Sequence, residues 1–222
     1  MGACLWWAIW KAKNVVIFKK EKLNIQFVIK EAMYWYNMEM TVGEMESIPD
    51  QSNMLESRND TWEPPDSLKI KINFDGDAGP RGFACGTVAR DSEAKFQGCK
   101  NKSLTHCKAV EAEGHGAMTA VELSRRKGFR GIILEGDSLI VINALRYTNY
   151  KPNWRIKNLI NRIKEELKNF RSVEYRYIKK NANKVAHNVA ALAIDNHSSD
   201  EWINSPPSCI AQLIVSEYSS TR

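Results

Sequence analysis

The stretch KIKINFDG, Lys69 to Gly76, alternates apolar Ile70, Ile72 and Phe74 with polar Lys71, Asn73 and Asp75. A period of two marks a strand with one face buried. It predicts a strand from Lys69 to Phe74 and leaves Asp75 at its end, ahead of Gly76. Two further strands are expected next, Gly82 to Arg90 and Lys95 to Lys102. The turn-like Asp91-Ser92-Glu93 separates them, so the first three strands form an antiparallel meander.

Further along, a helix is expected over about His106 to Lys127, ended by Gly128. The short apolar run GIILE, Gly131 to Glu135, reads as a strand covered on both faces, and Ser138 caps a helix that starts at Leu139. A long helix from Trp154 to Phe170, a strand from Val173 to Ile178 and a final helix from about Asn183 to Asn196 complete the pattern. The order βββαβααβα predicts an α/β fold. It has a mixed five-stranded sheet, three antiparallel strands then parallel additions, flanked by helices.

On the N-terminal side, residues 41–67 hold the polar, acid-leaning GEMESIPDQSNMLESRND, then TWEPPDS with its Pro64-Pro65 pair. This composition disfavours helix and central strand and reads as a linker. Residues 1–40, with Trp6, Trp10, Val16, Phe27, Ala32 and Trp35 among lysines, read as a helical segment. The domain proper is expected over 68–197 and a tail over 198–222. Deleting the Trp-rich segment is expected to leave Leu68 to Asn196 folded.

The chain has 222 residues, 43% hydrophobic and 26% charged, an ordinary globular composition. Its 32 basic against 26 acidic residues give a formal charge of +6, which favours polyanionic partners. Cys4, Cys85, Cys99, Cys107 and Cys209 are scattered and never spaced CxxC, arguing against a disulfide framework and a zinc site. Reduced thiols and an intracellular location, nucleus or cytoplasm, are expected. The start MGACLWWAIW is too short for a membrane span, and no basic residue precedes it as in a signal peptide. No membrane partner is expected, and the chain reads as a monomer.

Three carboxylates stand where apolar or small residues dominate. Glu113 shares a helix line with Ala117, Ala120, Val121 and Ser124. A buried carboxylate costs several kcal/mol unless it is paired, protonated or metal-bound. Singly, Glu113 also reads as a first-turn residue favoured by the helix dipole, and Asp75 and Asp137 as turn or cap residues. Together they change the reading, because two adjacent strand ends and one covering helix bring carboxylates into a cluster that needs cations. Mg²⁺ prefers oxygen ligands and keeps waters, as phosphodiester hydrolysis requires.

Five blocks carry a family resemblance: WEPPDSLKIKINFDG (Trp62 to Gly76), GTVARDSEAKFQG (Gly86 to Gly98), EAEGHGAMTAVELSRRKGF (Glu111 to Phe129), IILEGDS (Ile132 to Ser138) and YIKKNANKVAHNVAALA (Tyr177 to Ala193). In order and spacing they resemble the ribonuclease H-like domain of plant non-LTR retrotransposon polyproteins. The flanks, Leu5 to Lys20 and Glu201 to Glu217, are similar to the segments around that domain. The resemblance implies catalytic Asp75, Glu113 and Asp137 holding Mg²⁺ or Mn²⁺, with His187 at the fourth position, where ribonucleases H generally have aspartate. Glu113 rather than Glu111 is matched because the family's small residue three positions on falls on Gly116. Lys180 lies near the place of the family's mobile histidine.

Two functions follow from the resemblance. One is endonucleolytic cleavage of the RNA strand of an RNA–DNA hybrid, recognised through 2′ hydroxyls and the minor groove. The other is a nucleic-acid-binding module with weak or no catalysis, its phosphate contacts drawn from Lys164, Lys168, Arg171, Arg176, Lys179, Lys180 and Lys184. His106, His115 and His197 are assigned no role.

Overall fold

The alternation from Ile70 to Phe74 becomes strand β1 (Ile70–Gly79), with Ile72 and Phe74 buried on one face and Lys71, Asn73 and Asp75 buried on the other. The structure, a computed structural model, describes residues 2–19, 25–26, 28–29, 32–33, 61–66 and 68–220. β1 runs on past Asp75, so this residue lies within the strand and not at its end. The strand continues because β2 (Gly82–Arg90) folds back beside it after a two-residue turn, which makes the pair antiparallel. β3 (Phe96–Leu104) pairs antiparallel with β2.

Helix α2 (Ala109–Arg126) follows, α1 being Gly2–Lys19 near the start of the chain. It starts three residues later than the sequence reading because Glu111 accepts the Lys108 amide at 2.8 Å, which fixes Lys108 as the cap. Then come β4 (Gly131–Gly136), α3 (Leu139–Arg146), α4 (Trp154–Leu167), β5 (Ser172–Tyr177) and α5 (Lys184–Asn196). β1 pairs parallel with β4, and β4 parallel with β5.

The sheet differs from the expectation in having six strands, ordered β5-β4-β1-β2-β3-β6. The sixth, β6 (Glu201–Trp202), pairs antiparallel with Cys99 and Lys100 of β3. Two residues carry no periodicity, so the sequence offers no signal for it. Beyond it α6 (Ser208–Ser220) seats Ile210 and Ile214 in a core with Val88, Cys99, Val185, Ala186 and Val189. The stretch read as a tail over 198–222 is thus packed against the sheet over its described residues.

The larger core lies on the other face, where α2, α3 and α4 cover Ile72, Phe74, Ile132 and Leu134. Buried Met118, Val121, Val141, Ile142, Ile156, Ile160 and Ile163 fill it. At roughly 1.5–3 kcal/mol per fully buried aliphatic side chain, this layer dominates the stabilisation.

By contacts, Leu55–Ala78 with Gly82–Arg222 form one compact unit, and Met1–Met54 with Gly79–Arg81 another. In the latter, α1 (Gly2–Lys19) buries Ala8 with Val28 and Ala32 while Trp6 and Trp10 are exposed. The linker expected over 41–67 falls outside the described residues except for 61–66, where Trp62 is buried. Among the described residues, no helix is long and apolar enough to cross a membrane.

Candidate active site

Phe74 and Gly136 are register partners in the parallel pair β1–β4, so Asp75 and Asp137 follow at neighbouring positions on one sheet edge. Glu113 comes to the same place from α2. That approach needs backbone-to-backbone contact between helix and strand, and glycine provides it on both sides. A Cβ on Gly76 would stand 2.2 Å from the backbone of Ala112 and Glu113, and one on Gly116 would stand 2.7 Å from the Asp75 carbonyl oxygen. Any side chain at either position pushes α2, and with it Glu113, off the site.

The three carboxylates offer ligand oxygens that all lie within 4.8 Å of one another. Burial pushes the Glu113 carboxyl well above the usual range, and the charges of Asp75 and Asp137 push it further; the Gly76 amide and Lys180 act the other way. Glu113 Oε2 is buried with no hydrogen-bond partner. Asp137 is pushed up to about 6, first by burial and then by the Asp75 charge, against a hydrogen bond from Asn183. Like charges held together in a low-dielectric place resist ionising jointly. A divalent cation removes that penalty, and an all-oxygen donor set suits Mg²⁺ or Mn²⁺. The residues present therefore fit such an ion.

The fourth predicted position also comes to the cluster. A 3₁₀ turn over Lys180–Ala182 leads from β5 into α5, and His187 Nδ1 lies 2.9 Å from Asp75 Oδ2. This bond raises the imidazole's affinity for protons; burial opposes it, the charges of Asp75 and Asp77 add to it, and Lys180 subtracts. Lys180 is close enough to act on both Glu113 and His187. Glu111 caps α2 and takes no part in the cluster.

Asn183 enters the sequence reading only as the start of the last helix, with no role in the site. Its Nδ2 donates to Phe74 O at 2.9 Å and to Asp137 Oδ1 at 3.2 Å, tying α5 to both strands that carry aspartates. Its signal was present, since a residue four before His187 shares that residue's helix face. Of the basic residues expected to meet phosphates, Lys168 is paired with Glu165 and Arg176 with Glu174, and Lys164 donates to the Tyr147 carbonyl at 3.3 Å.

A close approach also fixes α5: a Cβ on Gly86 would lie 2.3 Å from the Ala190 amide nitrogen. β2 thus brings the helix with His187 and Asn183 down onto the sheet beside Asp75.

Residues 73–193 match the model of the "Reverse transcriptase-like" family, more than half of the chain and all four positions above. No curated protein matches. Among solved structures, RNase H1 of the halophilic archaeon Halobacterium salinarum NRC-1 is 22% identical with a TM-score of 0.55, covering 58% of this chain and 98% of that one. The N-terminal RNase H domain of a Mycobacterium tuberculosis protein is 19% identical, TM-score 0.53, covering 59% and 96%. LC11-RNase H1, solved in complex with an RNA/DNA hybrid, is 18% identical, TM-score 0.52, covering 58% and 98%. The chain has the ribonuclease H-like fold, and it belongs to the reverse transcriptase-like family.

Proposed function

We propose that the chain hydrolyses the RNA strand of RNA–DNA hybrids with the help of Mg²⁺ or Mn²⁺ held by Asp75, Glu113 and Asp137. The observation that carries this reading is the convergence of three carboxylates within 4.8 Å on the edge of a ribonuclease H-like sheet. Ligands of α/β sheets sit beyond the carboxyl ends of parallel strands, and the cluster stands at the carboxyl end of β4, which delivers Asp137. When bound, the cation supplies Lewis-acid polarisation of the phosphate and a more acidic attacking water.

The chain's own groups do the positioning. Asn183 holds the Asp137 carboxylate in one orientation. His187 stands where a fourth acid would be and fixes the Asp75 rotamer through its hydrogen bond. One cation site is therefore better furnished than two, because imidazole is a poorer Mg²⁺ ligand than carboxylate. The same reading includes an origin in a plant retroelement, a monomeric state and an intracellular setting, in which Cys85, Cys99, Cys107 and Cys209 stay free.

The test is cleavage of an end-labelled hybrid by the purified chain in Mg²⁺ and in Mn²⁺, beside Asp75→Asn and His187→Asp. Wild type is expected to cut the RNA strand, leaving 5′ phosphate and 3′ hydroxyl, and EDTA to stop it. Asp75→Asn is expected to lower the rate about a thousandfold, the effect of losing several kcal/mol of charge stabilisation. A wild type that binds hybrid without cutting, joined by a His187→Asp variant that does cut, makes the natural chain a binding module instead. Cleavage undiminished in Asp75→Asn overturns the site.

A further inference from the structure

We infer that Trp154, with Arg155 stacked on it, is a contact for the sugar-phosphate backbone of bound nucleic acid, beside the carboxylate cluster. This deepens the hybrid-cleaving reading and rests on it.

Trp154 is 73% exposed, and among the described residues of this unit no other tryptophan or phenylalanine is so open to solvent. It is held in place on a rigid element. It opens α4, where the Asn153 side chain accepts the Arg155 amide at 2.9 Å, and the Arg155 guanidinium lies 4.5 Å from the indole centroid. Arg155 also reaches to 3.9 Å from Glu111 in the first turn of α2. Gly114 of α2 meets Leu159 and Ile156 of α4, so the two first turns lie side by side. Glu113 sits in that same part of α2.

Topology puts Trp154 on the cluster's edge of the sheet. β4 and β5 are parallel, and the Arg171 amide bonds the Arg130 carbonyl at 2.8 Å where both strands begin. α4 leads into that far edge. A 14-residue helix rises about 21 Å, the length of a strand of this sheet, so its first residue lies at the near edge, where β4 delivers Asp137.

Charge complements the indole. From Ser138 to Lys164 the chain has no aspartate or glutamate, while it carries Arg146, Lys151, Arg155, Lys157, Arg162 and Lys164. Lys151, Arg155 and Lys157 flank Trp154 and are exposed. Arg146 and Lys164 are spent on the carbonyls of Tyr175 and Tyr147. An exposed indole with Arg155 on its face and Lys151 and Lys157 close in sequence, in a run without acids, suits a ligand that offers apolar sugar faces between phosphates.

The test is anisotropy of a fluorescein-labelled RNA–DNA hybrid titrated with the full chain in EDTA, using wild type, Trp154→Ala and Trp154→Phe. Trp154→Ala is expected to bind roughly tenfold more weakly and Trp154→Phe to keep most of the affinity. In cleavage, KM is expected to rise by a similar factor with kcat unchanged, and the thermal midpoint to stay where it was because the side chain is exposed. Equal affinity of wild type and Trp154→Ala overturns the contact. If wild type binds the hybrid and does not cut it, the hydrolase reading fails while the anisotropy comparison still decides the contact. A wild type that binds no hybrid in EDTA and cuts none in Mg²⁺ overturns both.

Discussion

Asn73 and Asp75 sit two residues apart on one face of β1, and each anchors a buried polar cluster. Around Asn73, Lys71 Nζ lies 3.1 Å from Glu135 Oε2, Asn73 Nδ2 donates to Glu135 Oε1 at 2.9 Å, and Arg90 donates to Asn73 Oδ1 at 3.1 Å and to Glu217 Oε2 at 2.6 Å. Arg90, 1% exposed, also lies flat on Trp62, its guanidinium 3.5 Å from the ring centroid. Two cations face two anions, and the formal charge of the cluster is zero. Around Asp75 three acids face one another, with a histidine as their nearest basic partner. The contrast is one of charge: the network around Asn73 balances its ions within the fold, even though Arg90 Nε and Trp62 Nε1 are buried there without a partner, whereas a cluster of like charge is balanced only with something added.

Breaking the neutral network is expected to have the largest effect on stability. Glu217→Ala leaves the Arg90 guanidinium buried without its counter-ion and is expected to cost about 3–5 kcal/mol in urea unfolding. Cutting the chain back to Leu68–Asn196 removes Glu217, Trp62, β6 and α6 together. That fragment is expected to lose cooperative unfolding, while a chain that starts at residue 55 keeps it. A Leu68–Asn196 fragment as stable as the longer chain would reduce the network to ornament.

The carboxylate cluster is expected to respond in the opposite direction. Asp137 titrates near 3.8 when unfolded and at about 6 in the fold, so the folded state holds the proton more tightly. Stability from this group is present below pH 4 and lost as pH rises through 6. Asp137→Asn is accordingly expected to stabilise the metal-free chain above pH 6, by on the order of 2 kcal/mol, with the gain vanishing below pH 4. Thermal unfolding in EDTA across that range checks it, and a destabilised Asp137→Asn at neutral pH would show that the carboxylates do not repel.

A finer comparison lies inside the neutral network. Lys71→Met and Glu135→Leu are each expected to destabilise, since each strands a buried charge, and the double variant to be more stable than either single one. A double-mutant cycle gives the coupling directly, and additive losses would mean that Lys71 and Glu135 do not act as a pair.

Much of this was legible in the chain. The period-two alternation of Ile70, Ile72 and Phe74 gave away β1, and the small residues of α2 gave away its packed face, because both signals are local. The carboxylates were legible because each interrupts an apolar or small-residue pattern. What stayed hidden was long-range. Arg90 and Glu217 are 127 positions apart, and neither looks unusual where it stands. β6 is too short to carry a pattern, and its pairing is dictated by the free edge of β3. Pro64 and Pro65 disfavour regular structure around Trp62, yet an irregular segment still buries an aromatic ring. The pairing of His187 with Asp75 depends on how closely Gly86 lets α5 approach, a distance that composition does not encode.

We propose that the Asp75, Glu113 and Asp137 cluster holds a divalent cation. The most direct measurement is thermal unfolding of wild type and Asp75→Asn at pH 7 over a Mg²⁺ titration starting from EDTA. A ligand bound only by the folded state raises the midpoint with its concentration. The wild-type midpoint is expected to climb with Mg²⁺, and the Asp75→Asn midpoint to start higher and stay flat. Two midpoints that move together, or a wild type indifferent to Mg²⁺, would contradict it.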